Sequence, residues 1–188
     1  MSHALWYASR ATGLVALVLL TSTTVFGLLG AGRLSIARWP RFAITSLHRN
    51  LSLLTVAFLG VHIATAVIDP YASIGWADAV LPFSARYQPL WLGLGAVAID
   101  LLAALVVTSL LRERIGLRLW RGIHWTAYLC WPVAFAHGLG IGGADSHRLW
   151  VLSVDLLCLL AVAVALAMRS TATHQDTVAR QQPHPAAR

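Results

Sequence analysis

The chain has 188 residues, 58% of them hydrophobic and only 11% charged, with a mean hydropathy of +0.70. A soluble domain carries about 25% charged residues, so the composition excludes one and points to a membrane protein. A net charge of +7 and a pI near 10.7 would point to nucleic acid in a soluble chain, but here the basic residues are fourteen arginines with no lysine, and their positions follow the apolar runs.

Five such runs stand out, at about 11–32, 42–68, 88–111, 122–140 and 149–168. Each is long enough to cross a hydrocarbon core of about 30 Å as a helix of about 20 residues. The expected fold is therefore all-α, a polytopic membrane bundle of five transmembrane helices. The first run is preceded by Trp6 and Tyr7, aromatic anchors for one interface, and contains Gly13, Gly27 and Gly30, small residues that permit close helix approach or mark a helix end. It has no small-residue cleavage site and is followed by further spans, so it reads as a retained helix rather than a signal peptide.

The arginines set the orientation. Arg33, Arg38, Arg41 and Arg49 flank the first connection, Arg112, Arg114, Arg118 and Arg121 the third, and Arg169, Arg180 and Arg188 follow the last span, against Arg10, Arg86 and Arg148 on the other side. Eleven against three places the amino terminus outside and the carboxyl terminus in the cytoplasm. The expected location is a cell membrane, crossed several times, of the bacterial inner-membrane kind.

The second run, Phe42–Ile68, carries His48 and His62, fourteen residues apart. At about 1.5 Å and 100° per residue they are separated by about 21 Å and lie within about 40° of one face. Asp69-Pro70 ends this run, and residues 69–88 form the longest connection, with a short interfacial helix expected near Ala72–Leu81. A connection of this length is often functional, and it would roof the outer histidine. The third run contains Asp100 near its middle, a position that requires it to face the bundle interior. Asp155 in the fifth run raises the same question, each residue reading either as a neutral helix contact or as a polar group at a cofactor or proton path.

The fourth run repeats the histidine device with His124 and His137, thirteen residues apart. An ideal helix then leaves an angular mismatch of about 140°, and Pro132 between them is expected to bend the helix and re-aim His137. Cys130 and Cys158 lie inside spans and read as small buried hydrophobes. Residues 169–188 read as a disordered cytoplasmic tail, and His3, His147, His174 and His184 as solvated surface groups.

Four histidines at two depths on two parallel helices are the ligand set for two stacked hemes. Pairing by depth gives His48 with His124 on the inner side and His62 with His137 on the outer, each pair filling both axial positions of an iron. Arg49 and Arg121 inside, and Arg10 or Arg148 outside, are placed to meet heme propionates. For Arg10 snorkelling to headgroups is an equal alternative, and for the inner arginines so is topology alone. Phe58, Tyr128 and Trp131 fall between the two levels, as packing or as relay residues.

The pattern H-x13-H and H-x12-H, carried by His48-Arg49 with His62 and by His124 with His137, resembles the ferric reductase-like transmembrane domain family. That family includes eukaryotic NADPH oxidases, ferric reductases and the heme-bearing membrane subunit of bacterial methionine sulfoxide reductase systems. The resemblance extends over roughly residues 5–168 and implies two b-type hemes per chain with bis-histidine ligation, in a bundle over residues 1–168. Two departures accompany it: five spans rather than six, and no glycine-rich strand-turn-helix for a flavin or nicotinamide. The flavin is accordingly expected on a partner protein, with a flavoprotein reductase or membrane quinol as donor. An electron-transfer oxidoreductase subunit is the resulting expectation. The alternative is a transition-metal or heme transporter or sensor using the same histidines, which would need ligands converging on one site.

Overall fold

The structure, a computed structural model, describes residues 4–31, 40–71 and 73–181. His3, Ala72, the first connection with Arg33 and Arg38, and the terminal residues with His184 and Arg188 lie outside the described residues, as do the side chains of Arg41, His174 and Arg180.

Regular structure among the described residues is helical throughout: α1 (Ala4–Ala31), α2 (Arg41–Ile68), α3 (Trp76–Val80), α4 (Pro89–Leu110), α5 (Arg112–Ile115), α6 (Leu117–His124), α7 (Ala127–Ile141), a 3₁₀ turn (Gly143–His147) and α8 (Leu149–Gln181). Four helices are long and apolar enough to cross a membrane: Ala4–Gly30, Phe42–Ile68, Pro89–Leu110 and Leu149–Thr171. They correspond to the first, second, third and fifth apolar runs.

The fourth run, expected as one continuous span, is divided between α6 and α7. Pro132 has no amide for the Tyr128 carbonyl, and the turn just upstream tightens. Thr126 N–H donates to the Ile123 carbonyl at 2.9 Å, Tyr128 N–H to that of Trp125 at 3.1 Å, and Leu129 N–H to that of Thr126 at 2.9 Å. Bonds of this i→i+3 kind add about 20° of turn per residue over an α-helix. The re-phasing between His124 and His137 therefore lies at residues 123–129, and α7 runs through Pro132 as a single helix.

One further expectation changes. Asp100 is exposed, not turned inward: Gly93 and Ala96, seven and four residues earlier on the same stripe, are buried, but apart from Leu105 the burial of α4 is confined to residues 93–98. Helix α8 runs to Gln181; residues 169–181 contain no glycine or proline, and the first proline beyond the span is Pro183.

Helix α1 is the organising member. It packs most extensively on α2, and also on α8 and α7, while α4 packs on α7. The core joins Trp131, Cys158 and Val162 to Leu20, Val25, Phe135 and Val154, and Trp131 Nε1–H donates to Thr21 Oγ1 at 2.9 Å. Cys130 and Cys158 are buried free thiols.

At the outer end, Pro70 forces Asp69 into an extended conformation and ends α2. The connection that follows is tied to the bundle by rings: Trp6 meets Tyr71 with centroids 4.9 Å apart, and Phe83 covers Gly93 so closely that a Cβ there would collide with the ring. Asp78 accepts hydrogen bonds from the Gly75 amide and the Ser84 hydroxyl, each at 2.9 Å. The Gly75 amide first, and then the hydroxyl, hold this exposed carboxyl below its ordinary range. A lowered folded pKa stabilises above the unfolded value of about 4 and is lost as pH falls through the lower folded value. The roof is expected to loosen only below about pH 4, seen as reduced hydrogen-exchange protection factors over residues 75–84. Asp78→Asn should show no such acid step; a variant that loosens on acidification as the wild type does would refute this.

Candidate functional site

Helix α2 presents His48 and His62 toward His124, at the end of α6, and His137, on α7. The His48 and His124 ring centroids are 6.3 Å apart with planes at 70°, and those of His62 and His137 are 6.5 Å apart at 75°. These distances are too long for direct hydrogen bonds between the rings, and α2 packs on α1 without substantial contact with α4 or α7. A slot therefore separates each pair. A metal atom bound by two imidazole nitrogens at about 2.0–2.1 Å each puts the ring centroids about 6.3 Å apart.

Three of the four rings are anchored from behind in the same way. The Nδ1 atom lies 2.7 Å from the Ser9 carbonyl oxygen in His62, 2.9 Å from that of Thr23 in His48, and 2.7 Å from that of Trp91 in His137. A carbonyl can only accept, so each Nδ1 carries the proton and donates it, and each Nε2 is left with its lone pair for a ligand. Four residues beyond each of these carbonyls stands a glycine, Gly13, Gly27 or Gly95. A Cβ would lie 2.8 Å from His62 at Gly13, 3.3 Å from His48 at Gly27 and 2.7 Å from His137 at Gly95. Only a bare backbone admits an imidazole this close to a helix.

His124 differs. Among the described residues its buried Nδ1 has no hydrogen-bond partner, and Trp120 stacks on the ring with centroids 4.8 Å apart and planes at 27°.

A cavity of about 560 Å³ contains the outer pair, with His62 and His137 in its wall, and Ile74, Asp78, Ala79 and Tyr87 of the long connection line it. This is within the range of cofactor pockets, about 300–1,000 Å³. Arg10 also lines it; its Nη1 donates to the Gly142 carbonyl at 2.5 Å and lies 3.5 Å from Asp145, while its Nε is buried and unpartnered. Arg148, paired with Asp145 at 2.9 Å, and the buried Asp155 share the wall. Arg49 and Arg121 are exposed near the inner pair. Trp131 is buried, Phe58 partly buried, and Tyr128 exposed and in contact with Arg169.

Among the described residues no three or more histidine, cysteine, aspartate or glutamate side chains group to hold a bare metal ion. What the histidines present is two opposed imidazoles, twice over. Compared with known families, residues 12–141 match the family described as ferric reductase-like transmembrane component. The chain belongs to that family. The matched segment contains all four histidines, all three backing glycines, α1 from residue 12 onward and α2–α7, whereas α8 lies beyond it. No curated protein and no solved structure matches the chain.

Heme is the group this family binds, and the residues present fit it. The spacing of both pairs suits one bridging metal atom, the Nδ1 atoms of three rings are already committed elsewhere, and the unpartnered Arg10 Nε offers a donor to an anionic group at the outer cavity. The part of the site not recognised in the sequence was the set of backing carbonyls. Gly13 and Gly27 had signalled close helix approach, and their spacing of fourteen, equal to that of His48 and His62, identifies the approaching group.

Proposed function

We propose that this family member is a transmembrane diheme b-type cytochrome that conducts electrons between a separate donor, a flavoprotein reductase or quinol, and an acceptor on the other side. His48 with His124, and His62 with His137, would ligate the two hemes; Arg10 outside, and Arg49 and Arg121 inside, would meet propionates. Heme iron supplies a one-electron couple. The two imidazoles of each pair would hold the iron through their Nε2 atoms, and such a bis-histidine site would favour electron transfer over chemistry at the metal. Fourteen residues of α2 set the two levels about 21 Å apart along the helix axis, so the pair of sites reaches across the apolar layer.

The observation that carries this reading is the two histidine pairs at 6.3 and 6.5 Å, with the backs of three rings anchored. Together α6 and α7 would complete a fifth crossing, and the arginine asymmetry supports an outer amino terminus and a cytoplasmic carboxyl terminus. A pyridine-hemochrome assay on the purified chain is expected to give two protohemes per polypeptide, with bis-histidine low-spin spectra. Purified folded chain without heme, or chain that keeps both hemes after all four histidines are replaced, would refute the proposal.

A further inference from the structure

The fourth ring breaks the anchoring rule. Behind the Nδ1 of the other three stands a helix carbonyl with a glycine four residues on. Behind His124 stands Trp120, stacked on the ring with centroids 4.8 Å apart and held to α4 by its Nε1–H, which donates to Ser109 Oγ at 3.3 Å. Among the described residues, His124 Nδ1 is left buried without an acceptor.

We propose that the inner site, between His48 and His124, holds its heme more weakly and at a higher midpoint potential than the outer site, because among the described residues His124 is the one of the four whose Nδ1 has no acceptor. This rests on the diheme reading above. A hydrogen bond from Nδ1–H to a carbonyl fixes the ring and makes Nε2 a stronger donor. A stronger donor favours the ferric state and lowers the potential. Both outer imidazoles have that bond, but only one inner imidazole does. Loss of such an outer-shell partner costs about 10- to 100-fold in metal-site affinity.

The test is a potentiometric titration of the full chain in nanodiscs, following the heme α-band, together with heme transfer to apomyoglobin. Two components are expected, His124→Ala removing the higher-potential one and His137→Ala the lower. Transfer from the wild-type chain should be biphasic, with the rates about 10- to 100-fold apart and the fast phase missing in His124→Ala. Coincident potentials, or loss of the higher component in His137→Ala, would overturn the inference. Because a ligand variant can misfold, Gly27→Ala, which crowds the inner histidine His48 at 3.3 Å and removes no ligand, provides a second reading. It should change the fast phase and the higher-potential component and leave the outer component in place; a change confined to the slow phase or the lower component overturns the inference as well. A chain with no heme overturns the diheme reading itself, a result distinct from two hemes in the opposite order.

Discussion

Gly95→Val is expected to empty the outer heme site while leaving all four histidines in the chain. A Cβ at this position would lie 2.7 Å from both Cε1 and Nδ1 of His137, closer than the Cβ atoms of folded proteins approach their non-bonded neighbours. The contact is with a ring whose Nδ1–H is bonded to the Trp91 carbonyl at 2.7 Å, so the ring cannot move away without giving up that bond. Gly13→Val acts on the opposite ligand, where a Cβ would stand 2.8 Å from His62. Either variant should reduce the hemochrome count from two to one per chain. Gly27→Ala, with a first contact of 3.3 Å to His48, should weaken the inner site less. Gly60, on the same helix as two of the ligands, has nothing within 4 Å of a built Cβ, and Gly60→Val is the control that should retain both hemes. If Gly95→Val and Gly13→Val behave as Gly60→Val does, the close approach of glycine to imidazole is not what holds the site.

The legibility of the sequence followed the kind of interaction. Histidine depth was readable because helical rise is the same in every helix, and the intervals 48–62 and 124–137 give two levels whatever the surrounding packing. Angle was less readable. The thirteen-residue interval demanded a correction, and Pro132 marked its presence, but the correction sits one turn upstream, where the missing proline amide releases the Tyr128 carbonyl and the backbone tightens. Asp100 shows a different limit. Its stripe is shared with Gly93 and Ala96, which are buried, so helical period alone would turn it inward; what the sequence does not give is how far along α4 the packing extends, and Asp100 lies just beyond the buried stretch 93–98.

The backing of the ligands was the least visible layer, because its acceptors are backbone carbonyls, which every residue has. Only the glycine four positions later distinguishes the carbonyls of Ser9, Thr23 and Trp91 from their neighbours. The same pattern gives α1 its central place. With Gly13 and Gly27 it anchors both histidines of α2, and the helix also packs on α7 and α8. Its register against α2 therefore fixes two of the four histidines at once, one at each level.

Trp131→Ala is expected to destabilise the bundle more than a substitution at any lipid-facing position. Trp131 is only 6% exposed. It packs with Cys158 and Val162 of α8, stacks on Phe135 at 5.1 Å and donates Nε1–H to Thr21 of α1, so one side chain joins three helices between the two histidine levels. Truncating a buried tryptophan or phenylalanine to alanine costs about 3–5 kcal/mol. Trp131→Phe separates the two contributions, because it keeps much of the ring and loses the hydrogen bond, and interhelical hydrogen bonds in membranes are worth about 0.6 kcal/mol on average and about 1.7 at most. Equilibrium unfolding in mixed micelles should therefore show a loss several-fold larger for Trp131→Ala than for Trp131→Phe. Equal losses would mean that the hydrogen bond to Thr21, rather than packing, holds α1 against α7. Trp131→Phe also addresses the relay reading of this residue: it should retain both hemes, and an unchanged rate of electron transfer between them would assign Trp131 to packing alone.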